Sequence, residues 1–463
     1  MSSAGMTTET VDVVVVGAGA AGMSGAVELA RLGLDVLLLD EQGSPGGQIY
    51  RGITLAPLSR RDMLGPDYAH GNTLAQALAS SSVRYEKGAA VWQVTRDHQV
   101  SYLRDGRLRT VQARAVLLAT GAMERPFPIA GWTLPGVMSA GAAQILLKSS
   151  GLAPSEPVVL AGCGPLLYLL GWQYLRAGVP IKALVDTTRR EDYWRARRHL
   201  FAALRAWPYL RKGLELMRSL RSAGIAHHTG AEQLAVEGEE AATALTFSVS
   251  GKPRRIATRC VLLHQGVVPN IQFSQSLRAR HEWDVEQLCF SPVVDPWGEL
   301  DVPGIFVAGD GAGIGGAQAA AVQGQLAALG IAVGFKSINP AQREYQAEPL
   351  RAKLASNLRI RPFLDSLYQP KEENRIPADD VIVCRCEEVT AGDLRGFVAL
   401  GCAGPNQAKS FGRCGMGPCQ GRLCGLTVTE VIAKARGVSA SEVGYYRIRP
   451  PIKPITLGEL AGE

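Results

Sequence analysis

Val11-Asp-Val-Val-Val-Val-Gly17-Ala-Gly19-Ala-Ala-Gly22-Met-Ser-Gly-Ala-Val-Glu-Leu-Ala-Arg-Leu-Gly33-Leu-Asp-Val36-Leu-Leu-Leu-Asp40 decides the fold. The β-branched run Val11 to Val16 reads as a parallel strand buried on both faces. A glycine-rich turn follows, then an amphipathic helix through Leu32 that Gly33 stops, then a second strand over Val36 to Leu39. In Gly17-x-Gly19-x-x-Gly22, Gly17 permits the turn, Gly19 lets the backbone approach a pyrophosphate, and Gly22 lets the helix pack on the strand. The pyrophosphate then rests on the helix N-terminus. Asp40 ends the second strand, placed to accept hydrogen bonds from an adenine ribose, with Glu41 as the neighbouring alternative.

A second strand–turn–helix–strand recurs over Pro157 to Asp186, and Gly304 to Val333 returns to the first style, with a strand, a glycine-rich turn and a small-residue helix. Two such units imply two dinucleotide-type domains, one inserted into the other. The second turn, Gly162-Cys-Gly164-Pro-Leu-Leu167, carries Leu167 where the third glycine belongs, which counts against NAD(P)H binding there. Asp186 ends the following strand as a candidate ribose ligand or helix cap.

Further segments decide between FAD and NAD at the first turn. Gly46-Gly47-Gln48 follows the acid, Leu118-Ala-Thr120-Gly121 ends a strand, and Gly309-Asp310 ends another just before Gly315-Gly316-Ala317. Together these resemble the FAD-binding segments of the two-dinucleotide flavoprotein reductase superfamily, over roughly residues 10 to 335. By that resemblance Asp310 binds the ribityl chain, and the helix at Ala317 points its N-terminus at the flavin pyrimidine or the phosphates. Disulfide reductases of that superfamily carry a paired redox cysteine, whereas Cys163, Cys260 and Cys289 stand alone here and read as small buried residues.

The remaining cysteines crowd the C-terminal part: Cys384-Arg-Cys386, Cys414-x4-Cys419 and Cys424. Thiolates this close, in a chain without a signal sequence, are metal ligands more readily than disulfides. Four suffice for a two-iron, two-sulfur cluster, and five are available. Cys384 and Cys386 form one pair; the other is Cys414 with Cys419, or Cys419 with Cys424. The region resembles the bacterioferritin-associated-ferredoxin-like domain, in which CxC is followed, somewhat over thirty residues later, by a close cysteine pair. That resemblance implies Cys384, Cys386, Cys419 and Cys424 as ligands, with Cys414 spare. Zinc is the structural alternative, but CxC is tighter than zinc pairs favour.

Composition excludes several classes. The chain has 463 residues and a formal net charge of +7, with ordinary apolar content. That charge does not call for nucleic acid. One basic, aromatic-interleaved stretch, Arg189 to Arg221, reads as a solvated helical face or a docking surface. Residues 1–10 lack an apolar signal segment, and Val158 to Trp172 is too short and interrupted to be a transmembrane segment. The expected location is therefore cytoplasmic. Thr390 with Asp393 reads as a capping box and Gly401 as the stop of that helix. A second helix is expected from about Gly421 to Arg436, ended by Gly437.

Two long strings narrow the match. Leu118-Ala-Thr-Gly-Ala-Met-Glu-Arg-Pro-Phe-Pro-Ile-Ala-Gly-Trp-Thr-Leu-Pro-Gly-Val-Met138, and Arg413-Cys-Gly-Met-Gly-Pro-Cys-Gln-Gly-Arg-Leu-Cys424 with the Arg447 to Leu457 tail, resemble the α-type (A) subunit of heteromeric flavoprotein amino-acid dehydrogenases. That family includes the corresponding chain of opine (octopine or nopaline) oxidase, the matching hydrogen cyanide synthase chain and the α subunits of proline and hydroxyproline dehydrogenases. The α chain of heterotetrameric sarcosine oxidase is a more distant relative. The resemblance covers nearly the whole chain and implies an α/β fold: a doubly wound, Rossmann-like flavoprotein of two dinucleotide-binding domains with a small helical iron–sulfur domain. Residues 10–152 and 286–338 are expected to form the FAD-binding domain and 153–285 the inserted NAD-like domain. A helical linker over 339–378, a 2Fe-2S domain over 379–437 and an extended tail over 438–463 follow.

The family also implies a division of labour. A separate catalytic β-type flavoprotein subunit oxidises the C–N bond of an amino acid or opine, and a small third subunit can accompany it. This chain collects the electrons through FAD bound by Gly17, Gly19, Gly22, Asp40 or Glu41, Gly47, Gln48, Thr120, Gly121, Gly309, Asp310 and Ala317, with an FMN at the subunit interface. The cluster passes them to a quinone or other acceptor. No catalytic base or nucleophile is expected, and His227-His228 reads as a surface pair before a turn. A stand-alone NAD(P)H-dependent reductase and a non-enzymatic cluster-bearing regulatory module are the competing readings.

Overall fold

The computed structural model describes residues 9–461. The polar stretch read over residues 1–10 lies outside them up to residue 8. Val13 to Val16 pair in parallel with Val36 to Leu39 on one side, and Glu9–Val16 pairs with Arg107–Leu118 on the other. Arg84–Lys87 extends this sheet at one edge, and Gln99–Arg104 and Ala90–Val94 extend it antiparallel at the other. Ile305–Val307 returns after the second domain to pair in parallel with Arg107–Leu118, so the chain leaves the first sheet, builds another and comes back. The central parallel strands are buried, as their continuous apolar runs require.

The second sheet is all parallel: Ala226–Thr229, Ile181–Asp186, Val158–Cys163, Cys260–Gln265 and Val137–Ser139, in that spatial order. Two expected boundaries shift accordingly. Val137–Ser139 precedes residue 153 yet pairs with Cys260–Gln265. Residue 286 falls in the turn of the hairpin His281–Asp284 with Cys289–Pro292 rather than between elements. His227 and His228 also sit differently from their reading: they form part of the edge strand Ala226–Thr229 and are half-buried.

The linker is helical as read, with helices Pro340–Leu358 and Arg361–Leu367, but it is packed. Ile360, Phe363 and Leu364 close a small core with Ala203 and Ala206. In the cysteine module, Thr390 caps Ala391–Ala399 through the reciprocal bonds of a capping box with Asp393. A helix missed from sequence, Pro405–Gly412, precedes the cysteine loop, and Gly425–Arg436 ends on left-handed Gly437. This module is not a separate bead. Val383, Val428, Ile432, Tyr446 and Ile452 share one core with Val14, Leu37 and Val116 of the first sheet.

The tail secures that union. The backbone N–H of Ile452 donates to the Trp92 carbonyl at 3.1 Å, Lys453 ion-pairs with Glu41, and Arg422 donates to the Ile452 carbonyl at 3.1 Å. Trp132 donates its indole N–H to the Ile382 carbonyl at 2.8 Å. No helix among the described residues is long and apolar enough to cross a membrane.

Helices Ala20–Arg31 and Ala317–Gly334 meet backbone to backbone. A Cβ on Gly324 would lie 2.1 Å from the Ala21 carbonyl oxygen, and one on Gly25 would lie 3.0 Å from the Gly324 carbonyl oxygen. Gly324→Ala must therefore push the helices apart, with an expected loss of about 1–3 kcal/mol in urea denaturation. An unchanged midpoint would mean that the two helices are not in contact.

Candidate functional site

The first glycine turn has the shape its sequence implies. Gly17 is left-handed (φ +102°), and a Cβ there would lie 2.5 Å from the Ala119 carbonyl oxygen. A Cβ on Gly22 would overlap the Gly17 carbonyl oxygen at 1.8 Å. Gly19 differs: its missing Cβ would meet only the Gly47 Cα, at 3.8 Å, so its backbone borders open space at the start of the helix. This is a cradle for a phosphate group, and the residues fit a dinucleotide.

Gly46 and Gly47 fold over the turn, with the Gly46 N–H donating to the Ala18 carbonyl at 2.8 Å. Asp40 is buried and accepts from the Ala18 N–H at 2.5 Å and the Gln42 N–H at 2.7 Å, while burial pushes its carboxyl up. Glu41 is exposed and paired with Lys453, so of the two candidate acids Asp40 is the one built into the turn. Thr120 donates to the Asn270 carbonyl at 3.3 Å, and the Gly121 carbonyl accepts from the Asn270 N–H at 2.9 Å. Asp310, on the Gly309–Gly311 turn, accepts from the N–H groups of Gly315 and Gly316 at 2.9 and 2.8 Å, which shapes the loop that starts the Ala317 helix. The predicted residues of the first site thus gather along the ends of parallel strands, where such sheets bind ligands.

The second turn is filled by the chain itself. Leu167 is fully buried, and Asp186 is fully buried too, accepting from the Tyr168 hydroxyl and from the Thr188 N–H at 2.8 Å. Burial holds the Asp186 carboxyl above its usual range. The Cys163 thiol donates to the Tyr368 carbonyl at 3.4 Å, and Lys371 pairs with Asp192. Arg195 donates to the Ser366 carbonyl at 2.7 Å. The segment following the linker helices therefore sits on the second turn, and its acid is spent on a tyrosine. Nearby, buried His264 lies 2.5 Å from Glu124, which also accepts from the Gly141 N–H at 2.7 Å.

The cysteines form an inner group and an outer group. Sulfur atoms of Cys384, Cys414 and Cys424 lie within 4.8 Å of one another and all three residues are buried. Cys386 is exposed and adjoins Cys419. Cys414, read as spare, thus stands in the inner group. Hydrogen bonds from Cys414 and Cys424 hold the Cys384 thiol far below its ordinary range, while those same contacts and burial push Cys424 up. Three sulfurs this close cannot all be thiolates unless a cation stands among them. The donor set fits a thiophilic metal centre. The glycines of the loop explain its spacing: a Cβ on Gly417 would lie 2.2 Å from the Cys386 Cβ, and one on Gly415 or Gly421 would strike the Tyr446 ring at 2.4 or 2.6 Å. Tyr446, unremarked in the sequence, is 1% exposed and donates its hydroxyl to Cys414 Sγ at 3.4 Å.

These features define a protein of the dinucleotide-binding fold with a cysteine cluster. Residues 11–324 match the family described as pyridine nucleotide-disulphide oxidoreductase, and residues 380–463 match the sarcosine oxidase A3 domain. The chain is 47% identical to the A-type subunit of opine oxidase from Agrobacterium tumefaciens (strain Ach5), over 97% of its length and 91% of that protein. It is 32% identical to hydrogen cyanide synthase subunit HcnB of a Pseudomonas aeruginosa strain, over 96% of each. The crystal structure of L-proline dehydrogenase from P. horikoshii superposes with a TM-score of 0.70 at 21% identity, covering 97% of this chain and 79% of that one. The chain belongs to the family of the opine oxidase A-type subunit and hydrogen cyanide synthase subunit HcnB, and it is an oxidoreductase subunit.

One group beside the first site carries a pH signature. Lys148 is 3% exposed, and burial together with Arg51 lowers its amine to about 7 from 10.5. Between those pH values the unfolded chain holds a proton that the folded chain lacks, so folding is favoured increasingly as pH rises through the window. Lys148→Met removes this dependence. In urea denaturation of nucleotide-free protein, the variant's stability relative to wild type is expected to be highest at pH 7 and below, and to fall steadily towards pH 10. Parallel curves would show that Lys148 is charged in the folded chain.

Proposed function

We propose that this chain is the electron-transfer subunit of a heteromeric dehydrogenase that oxidises the C–N bond of an amino acid or opine, of octopine, nopaline or hydroxyproline type. A catalytic β-type flavoprotein subunit takes the hydride. The observation that carries the reading is one core shared by the sheet that bears the dinucleotide turn and a buried thiol nest. The family's named subunits support the heteromeric form.

In this reading the Gly17–Gly22 turn, Asp40, the Gly46–Gln48 loop, Thr120–Gly121 and Asp310 hold FAD or its adenine half, with FMN at the subunit interface. Cys384, Cys386, Cys419 and Cys424 hold a 2Fe-2S cluster, and Cys414 is their buried neighbour. A flavin accepts two electrons and a cluster relays one at a time, which suits delivery to a quinone or other acceptor. The chain's own part is to shape the phosphate cradle, keep water from the inner sulfurs and fix the distance between the two sites. The stand-alone NAD(P)H reductase is disfavoured by Leu167 and by the segment seated on the second turn.

Anaerobically purified chain is expected to show flavin or nucleotide together with cluster absorption, unaffected by NADH. It should bleach when a co-expressed partner is given its amino acid or opine. Bleaching by NADH alone would replace this reading with the reductase. Cys384→Ser and Cys424→Ser should abolish bound iron and sulfide, whereas Cys414→Ser should retain them; iron loss in the last would put Cys414 among the ligands.

Tyr446→Phe removes the hydroxyl that lies 3.8 Å from the sulfur of Cys424, a proposed ligand, while keeping the ring. A hydrogen bond to sulfur favours the reduced cluster, so the midpoint potential is expected to fall by on the order of 60 mV, a tenfold change for a one-electron couple. An unaltered potential in an EPR-monitored titration would deny Tyr446 that role.

A further inference from the structure

Arg51 is a buried cation without an ion-pair partner among the described residues. It follows the Gly46-Gly47-Gln48 loop and is 9% exposed; its Nε has no hydrogen-bond partner, and no carboxylate lies within ion-pairing distance among the described residues. A guanidinium offers five donors in a rigid fork, and enclosing it unpaired is costly. Lys148, 3% exposed, lies near enough to act on it electrostatically. Its ammonium donates to the Gln48 carbonyl at 3.2 Å and to Gln144 Oε1 at 2.7 Å, which leaves one donor free and again no carboxylate in range.

The position of this pair points to its ligand. The loop that carries Arg51 is bonded to the first glycine turn through Gly46 and Ala18, and a Cβ on Gly47 would lie 2.8 Å from the Gly19 Cα. The Arg51 charge also acts on Asp40, the acid built into that turn. Arg51 therefore stands near enough to act on the turn's own acid, and the Lys148 amine is bonded to the loop folded over that turn, at the start of the Ala20–Arg31 helix. A neutral sugar or base would bring neither group an ion-pair partner. A diphosphate would neutralise them and accept bidentate hydrogen bonds from the guanidinium.

We propose that Arg51, with Lys148 beside it, is the counter-ion for the diphosphate of an adenine nucleotide held at the Gly17–Gly22 turn. The proposal rests on the reading of that turn as a nucleotide site. It adds a contact outside the glycine fingerprint and makes the phosphates the main source of affinity.

The test is calorimetric titration of the full chain, stripped of bound nucleotide, with ADP and with adenosine. FAD, ATP and NAD+ follow, to find which natural carrier of the diphosphate binds. Wild type is expected to bind ADP and to lose at least about tenfold in affinity in both Arg51→Gln and Lys148→Met, with the adenosine affinity unchanged. Arg51→Lys, which keeps the charge but not the fork, should fall between. Circular dichroism melts establish that each variant is folded, and Lys148→Met carries the test if Arg51→Gln is not. Unchanged ADP affinity in the folded variants overturns the proposal. Failure of wild type to bind any of these nucleotides overturns the reading of the turn itself, and the proposal with it.

Discussion

The structure depends on one close approach: the backbones of Ala20–Arg31 and Ala317–Gly334 touch with no side chains between them. Gly25 and Gly324 make that possible. The second helix begins some 300 residues after the first, so this contact brings the returning strand Ile305–Val307 into the first sheet. It also sets Asp310 and the Ala317 helix opposite the Gly17–Gly22 turn. Everything between the two helices, including the whole second sheet, must leave and re-enter at positions that satisfy this contact. Small residues therefore dominate the Ala317 helix, which is apolar on nearly every side because it is enclosed on nearly every side.

The two nucleotide-type domains have separated in role while keeping the same architecture. In the first, the glycines leave backbone bordering open space, and the acid is held by two backbone N–H groups rather than by a side chain. In the second, a leucine stands in the helix, the acid is bonded to Tyr168, and a later segment of the chain occupies the mouth. A buried carboxyl with a tyrosine partner has the chemistry of a structural post. The second domain thus works as a wall: it supports the linker helices, which in turn pack beside the loop at Ile314 to Gly316.

How much of this is legible in the sequence depends on the range of the contacts. The first turn is readable because Gly17, Gly19, Gly22 and Asp40 act within one βαβ unit, where spacing and geometry are nearly equivalent. The caps at Thr390 and Gly437 are readable for the same reason. The grouping of the cysteines is not, because Cys384 and Cys414 meet only once the loop has wrapped around Tyr446, and no local rule fixes which sulfurs face inward. Arg51 and Lys148 look like ordinary surface cations in the sequence. Their burial follows from the packing of Ala140–Ser150 beneath the Gly46 loop, and the only sequence trace is a lysine at the buried edge of an apolar helix. Val137–Ser139 falls on the wrong side of the expected domain boundary because three residues carry too little pattern to name their sheet.

The tail gives the molecule an order of assembly. Ile452 and Lys453 bond to Trp92 and Glu41, so a late segment of the chain closes on an early one. Tyr446, which seals the inner cysteines, lies on that same tail. Until Tyr446 and Ile452 are in place the thiols have no lid, and the first sheet has one apolar face bare. The fold therefore has a natural sequence in which the cysteine loop is open before the tail docks, and docking then encloses the thiols and completes the core in a single event.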